Sequence, residues 1–212
     1  MGRKSEAKKQ LIQVAIQLIW EHSYNTVSVD KLCKQANVNK GSFYYFFPSK
    51  CALALEALDT AWESVRQEVY DPAFLHHIPP LERFPLFFKN LYKLQKKALK
   101  QTGHVLGCPF GNLGSEAGIR DNNIRSKIKD IFSDQSTYFE NALRDALKEG
   151  LIESEDVSTL AQSLTAYVGG VILHAKVQNN VELFRKFLPG ALRLIRAKEV
   201  KKNIRGKKDF LL

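Results

Sequence analysis

The feature that most constrains this chain is the spacing of its apolar residues. They recur three and four apart in one segment after another, and no stretch alternates apolar with polar in the way a strand requires. Residues at that spacing share one face of an α-helix, so the pattern predicts an all-α fold in which each helix buries one stripe. In "AKKQLIQVAIQLIWEHS" the stripe is Leu11, Val14, Ala15, Leu18 and Ile19. Ser28 then stands where a cap is needed for a short second helix, "VDKLCKQA", whose inward residues are Val29, Leu32, Cys33 and Ala36. Asn37 tolerates a left-handed turn, and Asn39 offers a cap to a third helix starting at Lys40. Pro48 ends that helix, and Ser49 caps a fourth that runs to about residue 70.

Past a linker-like break, "DPAFLHHIPP", the pattern predicts a helix over 81–101 with Phe84, Phe87, Phe88, Leu91 and Leu94 inward. Residues 102–123 hold five glycines and one proline, which predicts a loop with at most a short helix near Phe110–Ala117. An amphipathic helix follows from Asn123 to Glu149, stopped by Gly150. Ser154 or Asp156 caps the next, to about Gln178, and Val181–Ala197 makes a last helix with an expected kink at Pro189. The expected division is a unit of three N-terminal helices over 1–50, a helical body over 51–198 and a basic tail over 199–212.

Charge separates these parts. The net charge of +10 is concentrated at the ends: residues 1–50 carry eight Lys/Arg against three Asp/Glu, and 193–212 carry eight against two. Residues 51–192 balance sixteen against seventeen. Basic ends on a neutral body point to a polyanion as partner of the ends. "MGRKSEAKKQ" is too polar for a signal peptide, and no apolar run approaches the length of a membrane span, so the expected location is the cytoplasm. Cys33, Cys51 and Cys108 are odd in number and match no metal spacing, which fits reduced thiols. No catalytic constellation, metal site or cofactor motif emerges: the glycines of "GHVLGCPFGNLGSEAG" fit neither dinucleotide nor phosphate-loop spacing.

Two short helices joined by a three-residue turn and preceded by a packing helix are a helix-turn-helix. Inside it lies "KGSFYYFFPSK", five consecutive aromatics between lysines. Phe43 and Phe47 are four apart and belong inside, against Leu32 and Leu18. Tyr44, Tyr45 and Phe46 then point elsewhere, beside Lys40, Gly41 and Ser42. A nucleic acid rewards that arrangement, because tyrosine hydroxyls bond phosphates and an exposed Phe packs on thymine methyls. On these residues, "TVSVDKLCKQANVNKGSFYYFFPSKCAL" resembles the DNA-binding domain of TetR (tetracycline-repressor-type) regulators over about residues 8–55, including "V-x-K-G-S-x-Y-x-x-F" and "F-P-S-K". The resemblance implies DNA contacts by Ser28, Lys40, Ser42, Tyr44, Tyr45 and Lys50. Lys40 and Tyr45 would read the groove, Ser28, Tyr44 and Lys50 would hold phosphates, and Gly41 would let the backbone come close. Two positions depart from the family pattern: Asn37 stands where glycine is usual, and Phe46 where histidine is usual.

The same resemblance implies a second, ligand-sensing and dimerising part. The helix around 155–178 is apolar over more than one face, and Gly169 and Gly170 in its middle cost about 1 kcal/mol each relative to Ala unless another helix approaches closely. Leu164, Val168, Val171 and Ile172, with Phe184 and Leu188 of the last helix, are therefore the expected interface of a homodimer about a two-fold axis. "GCPFGNLGSE" resembles a "G-C-x-x-G-N-L-x-x-E" segment of one subset of these regulators, where it opens the helix joining the two domains. Cys108 at its start is a candidate sensor thiol, with His104, His174 and Lys176 as candidate neighbours. The expected effector pocket is Trp62, Phe87, Phe88, Tyr92, Cys108, Phe110, Tyr138, Phe139, Tyr167 and His174, suited to a hydrophobic or electrophilic small molecule. The expected function is a dimeric repressor of an inverted-repeat operator. The competing reading is a helical DNA-architectural protein without sequence preference.

Overall fold

Three consecutive helices begin where a side-chain oxygen takes up an orphan backbone amide. Ser28 Oγ accepts from Lys31 N at 3.1 Å, Asn39 Oδ1 from Ser42 N at 2.7 Å and Ser49 Oγ from Ala52 N at 3.1 Å. They start α2 (Val29–Gln35), α3 (Lys40–Phe46) and α4 (Lys50–Val65) behind a long α1 (Gly2–Glu21). Asn37 has φ +51°, the left-handed turn that seats α3 across α2. The computed structural model describes residues 2–154 and 156–195, with side chains from residue 6; the basic tail lies outside the described residues.

Five more helices form the body: α5 (Arg83–Thr102), α6 (Pro109–Ala117), α7 (Asn122–Lys148), α8 (Val157–Val177) and α9 (Leu183–Leu194). Asp121 caps α7 and Asp156 caps α8, while Gly103 and Gly150 end α5 and α7 in positive-φ turns. Helix α9 runs through Pro189. The fold is all-α: no strand occurs among the described residues. Helix α4 belongs to both parts, packing on α1 at its start and on α7 further along. It ends in a π-helical turn, Arg66–Tyr70, that swings the Tyr70 ring into the body.

Residues 71–80 do not behave as a linker. Ala73 is fully buried, and the Phe74 ring joins Tyr70, Phe84, Phe87, Tyr138 and Phe139 in an aromatic cluster. Arg83 is 4% exposed and ties the segment down: it donates to the Ile78 and His76 carbonyls and to Asp145 Oδ2 at 2.7 Å. A buried guanidinium needs such a full set of partners.

Candidate nucleic-acid interface and effector cavity

Helix α3 sorts its aromatics by phase. Phe43 and Phe47 are 0% and 1% exposed, whereas Tyr44 and Tyr45 are 56% and 67% exposed. Phe46 is half-buried, with its ring edge-on to Tyr45 at 5.0 Å. Lys40, Gly41 and Ser28 are exposed around them, and Ser42, whose amide is taken by the Asn39 cap, is half-buried. Lys40 does not stand alone: its Nζ lies 2.7 Å from Asp30 Oδ1 across the α2–α3 corner. The ridge thus presents two phenol hydroxyls, an ammonium and a close backbone, which is the chemistry that meets a groove floor and its phosphate walls.

Lys50 stands apart from that ridge. Its Nζ donates to the Tyr24 and Val27 carbonyls, both at 3.0 Å, and sits 4.2 Å from the Tyr24 ring centroid. Burial pushes its pKa down despite the nearby Glu116. The ammonium expected to hold a phosphate fastens the turn between α1 and α2, because the start of α4 lies under that turn.

The body holds a cavity of about 960 Å³, open to solvent on one side, among α5, α6, α7 and α8. Four of the expected residues line it: Phe87, Cys108, Phe110 and Phe139. The other six are elsewhere. Trp62 is buried behind the wall, edge-on to Tyr70 and Phe110, and donates its Nε1–H to Asp134 Oδ2 of α7 at 3.2 Å. Phe88 and Tyr92 lie one helical step from Phe87 and Leu91 and turn away from the cavity; the Tyr92 hydroxyl donates to Glu182 Oε1 and its ring carries the Arg185 guanidinium at 4.2 Å. Tyr138 donates to Asp71, Tyr167 donates to the Phe187 carbonyl, and His174 is exposed beside Phe187.

Trp20, Tyr70, Gln95 and Gln135 were not expected on the wall and do line it, and Lys176, expected as a neighbour of Cys108, lines it beside that thiol. Gln95 and Gln135 are 2% and 8% exposed, two amides on helix faces that are otherwise apolar, and that interruption is the sequence signal for a polar spot on the wall. Gln95 is committed to one backbone position. Its Nε2 donates to the Gly107 carbonyl at 2.9 Å and its Oε1 accepts from Gly107 N at 3.2 Å. The Trp20 indole donates to that same carbonyl at 2.9 Å. Gly107 has φ +79°, and a Cβ there would lie 2.9 Å from Lys176 Cδ, so glycine lets the chain turn beneath the lysine stem.

Cys108 caps α6, its Sγ accepting from Gly111 N at 3.4 Å, and it keeps part of its surface open on the cavity wall. Burial pushes the thiol's pKa up; the amides of Gly111 and Phe110 and the charge of Lys176 pull the other way and do not overcome it. The helix start was expected to favour a thiolate, and desolvation outweighs it. Among the described residues no group of three or more His, Cys, Asp or Glu is gathered as a metal site.

Four of the six residues expected at the dimer face have little surface left for a partner. Leu164, Val168, Val171 and Phe184 are already buried within the chain, because the 161–164–168–171–175 stripe of α8 packs against α7 and α9. Ile172 and Leu188 remain half-open. Two apolar residues of α8 are well exposed, Leu173 at 58% and Val177 at 76%; Leu173 also lines the cavity, together with Ala166, Gly169 and Ile172, and Val177 does not. A Cβ added to Gly169 or Gly170 would meet no atom within 4 Å.

Comparison with known proteins gives one answer. Residues 11–57 match the family model of bacterial regulatory proteins of the tetR family, and residues 81–190 match that of the tetracyclin repressor-like C-terminal domain. The transcriptional regulator AcuR of Cereibacter sphaeroides is 30% identical over 176 residues, covering 82% of this chain and 78% of that protein. A crystal structure of the regulatory protein TetR from Rhodobacter sphaeroides superposes with a TM-score of 0.76 at 27% identity, over 89% of this chain and 98% of the other. The reduced form of Escherichia coli NemR shares the fold, with a TM-score of 0.74 at 22% identity over 91% of this chain and 99% of the other.

Proposed function

The chain belongs to the TetR family of bacterial regulatory proteins, and from that premise we propose a ligand-responsive repressor that binds an inverted-repeat operator as a homodimer. One observation carries the reading: α3 buries Phe43 and Phe47 while holding Tyr44 and Tyr45 out beside Lys40. Lys40 and Tyr45 read the groove, while Ser28, Ser42 and Tyr44 hold the backbone. Lys50 acts indirectly, by fixing the turn that carries α2. One such helix contacts too few base pairs for useful selectivity, and two held about a duplex turn apart read a palindrome.

Support for the homodimer is the apolar surface left exposed at the end of α8, chiefly Val177, with Leu173 at the border between that surface and the cavity. The effector is a small hydrophobic molecule taken into the cavity, whose surface is mostly apolar, with Gln135, Lys176, Lys129 and Glu140 among the polar groups on its wall. Binding there favours a reader orientation that no longer matches the operator. Cys108 is within reach of that occupant, and an electrophile would find a thiol beside Lys176. If Cys108→Ser still releases DNA normally with every inducer, sensing by covalent capture is excluded and the cavity works by shape alone.

Selection of bound sequences from a random DNA pool tests the main reading. An inverted repeat is the expected product. Strongly salt-dependent binding without preference among sequences would return the architectural reading instead.

A further inference from the structure

We infer that Glu116 is a positioning residue: it is the side chain through which α6, the helix that lines the cavity, fixes the orientation of the DNA-reading domain. The inference rests on the repressor reading above and adds a mechanical link to it. Glu116 lies in the last turn of α6. Its carboxylate accepts from the Ser23 hydroxyl, from Tyr24 N at 2.9 Å and from Asn25 N at 3.1 Å, all in the turn between α1 and α2. Burial alone would push this carboxyl's pKa up, but the Ser23 hydroxyl and the Asn25 and Tyr24 amides together hold it below the usual range, so the anion is the form gripped.

The turn is also held from its opposite side. Lys50 at the start of α4 takes the Tyr24 and Val27 carbonyls while Glu116 takes the amides, so the backbone at 23–27 is fixed between a cation of the reader and an anion of the body. A second carboxylate stands at the joint: Asp121, which caps α7, lies beside the Cys51 thiol in the first turn of α4 and, with burial, pushes that thiol's pKa up. Helix α6 is nine residues, roughly 13 Å, long. Phe110, Gly111, Asn112 and Ser115 on it line the cavity, and Ile128 of α7 packs at 3.4 Å from where a Gly114 Cβ would lie. A rigid rod with one end in the cavity wall and the other bonded to the reader's turn transmits any displacement of the wall to α2 and α3. Its grip on that turn also sets the angle between reader and body, and hence the distance between two readers in a dimer.

The test compares wild type with Glu116→Ala on three duplexes built from the selected operator: the full inverted repeat, one half-site alone, and repeats with one or two bases added to the spacer. Loosening the joint should lower full-repeat affinity about tenfold, the equivalent of about one of the charge-assisted hydrogen bonds Glu116 accepts. Half-site affinity should stay within twofold, and the penalty for a lengthened spacer should shrink. Amide exchange at Tyr24 and Asn25 should quicken. If Glu116→Ala does not fold, Glu116→Gln, which keeps the size and one acceptor oxygen, carries the same comparison with a smaller effect. Equal losses on full repeat and half-site would show a merely structural residue and overturn the inference, as would no loss on either. A wild-type protein that selects no inverted repeat overturns the repressor reading first and this inference with it; a wild type that selects one, with an indistinguishable variant, overturns this inference alone.

Discussion

The two halves of the molecule carry function in opposite ways. In the reader, the working surface is what remains after a small core is satisfied: Phe43 and Phe47 go in, and Tyr44 and Tyr45 are left out. In the body, the proposed working feature is what packing fails to fill, a cavity bounded by α5, α6, α7 and α8. A convex site depends on the phase of one short helix. A concave site depends on four helices at once, so its membership moves when any of them rotates.

Phe43→Ala and Tyr45→Ala break the comparison most sharply. The first removes a fully buried ring and should cost about 3–5 kcal/mol of stability by denaturant unfolding. The second should leave stability within about 0.5 kcal/mol and lower operator affinity by about 1–3 kcal/mol in a mobility-shift titration. A Tyr45→Ala protein that unfolds easily but binds normally would move that residue out of the interface.

On the concave side, Gln95→Leu should cost about 1–3 kcal/mol, because the Gly107 N–H it accepts from is left buried without a partner. The loss should appear in thermal unfolding, together with altered Trp20 fluorescence, since the indole shares the Gly107 carbonyl. Unchanged stability would mean that the elbow at Gly107 holds without its amide clamp.

Lys50→Met separates the two halves more finely. A lysine that neutralises one phosphate contributes about 0.9 to the slope of log affinity against log salt. With Lys50 fastening the turn at 24–27, the variant should lose stability and keep the wild-type slope. A slope lower by about 0.9 at unchanged stability would restore the phosphate role.

The smallest effect is in pH. Glu116 and Asp121 both sit below their ordinary pKa in the folded chain, Asp121 chiefly through the Cys51 thiol. Their contribution is therefore complete above the ordinary carboxylate range and is lost as pH falls through the depressed folded values. Cys51 has the opposite sign: burial and Asp121 raise it to about 11, so its contribution holds below the ordinary thiol value and fades as pH rises toward 11. Glu116→Gln should flatten the acid limb of a stability–pH profile and leave the alkaline limb unchanged.

Much of the reader was legible in advance. The caps at Ser28, Asn39 and Ser49, the left-handed Asn37 and the burial of Phe43 and Phe47 follow from chemistry within about four residues along the chain. The cavity was half legible. Phe87, Cys108, Phe110 and Phe139 were reached by choosing aromatics and the odd cysteine on the middle helices, but the same choice took in Phe88, Tyr92, Tyr138, Tyr167, Trp62 and His174, which face other neighbours. On α8, an excess of apolar residues showed that two faces would be covered and not which one α7 would take. Leu164 and Val168 are inside the chain, and Leu173 and Val177 are outside.

By itself the sequence determined the helices, their ends and the two tyrosines held clear of the core, because turn length, helix phase and capping are settled by residues close together along the chain. Tertiary structure alone decided that Lys50 ties a turn, that Gln95 and Trp20 meet on one carbonyl, and that Glu116 reaches back to Tyr24. Those partners stand far apart in sequence. Their bonds exist only once α1, α4, α5 and α6 have packed, and the packing is fixed by the burial of all the apolar faces together.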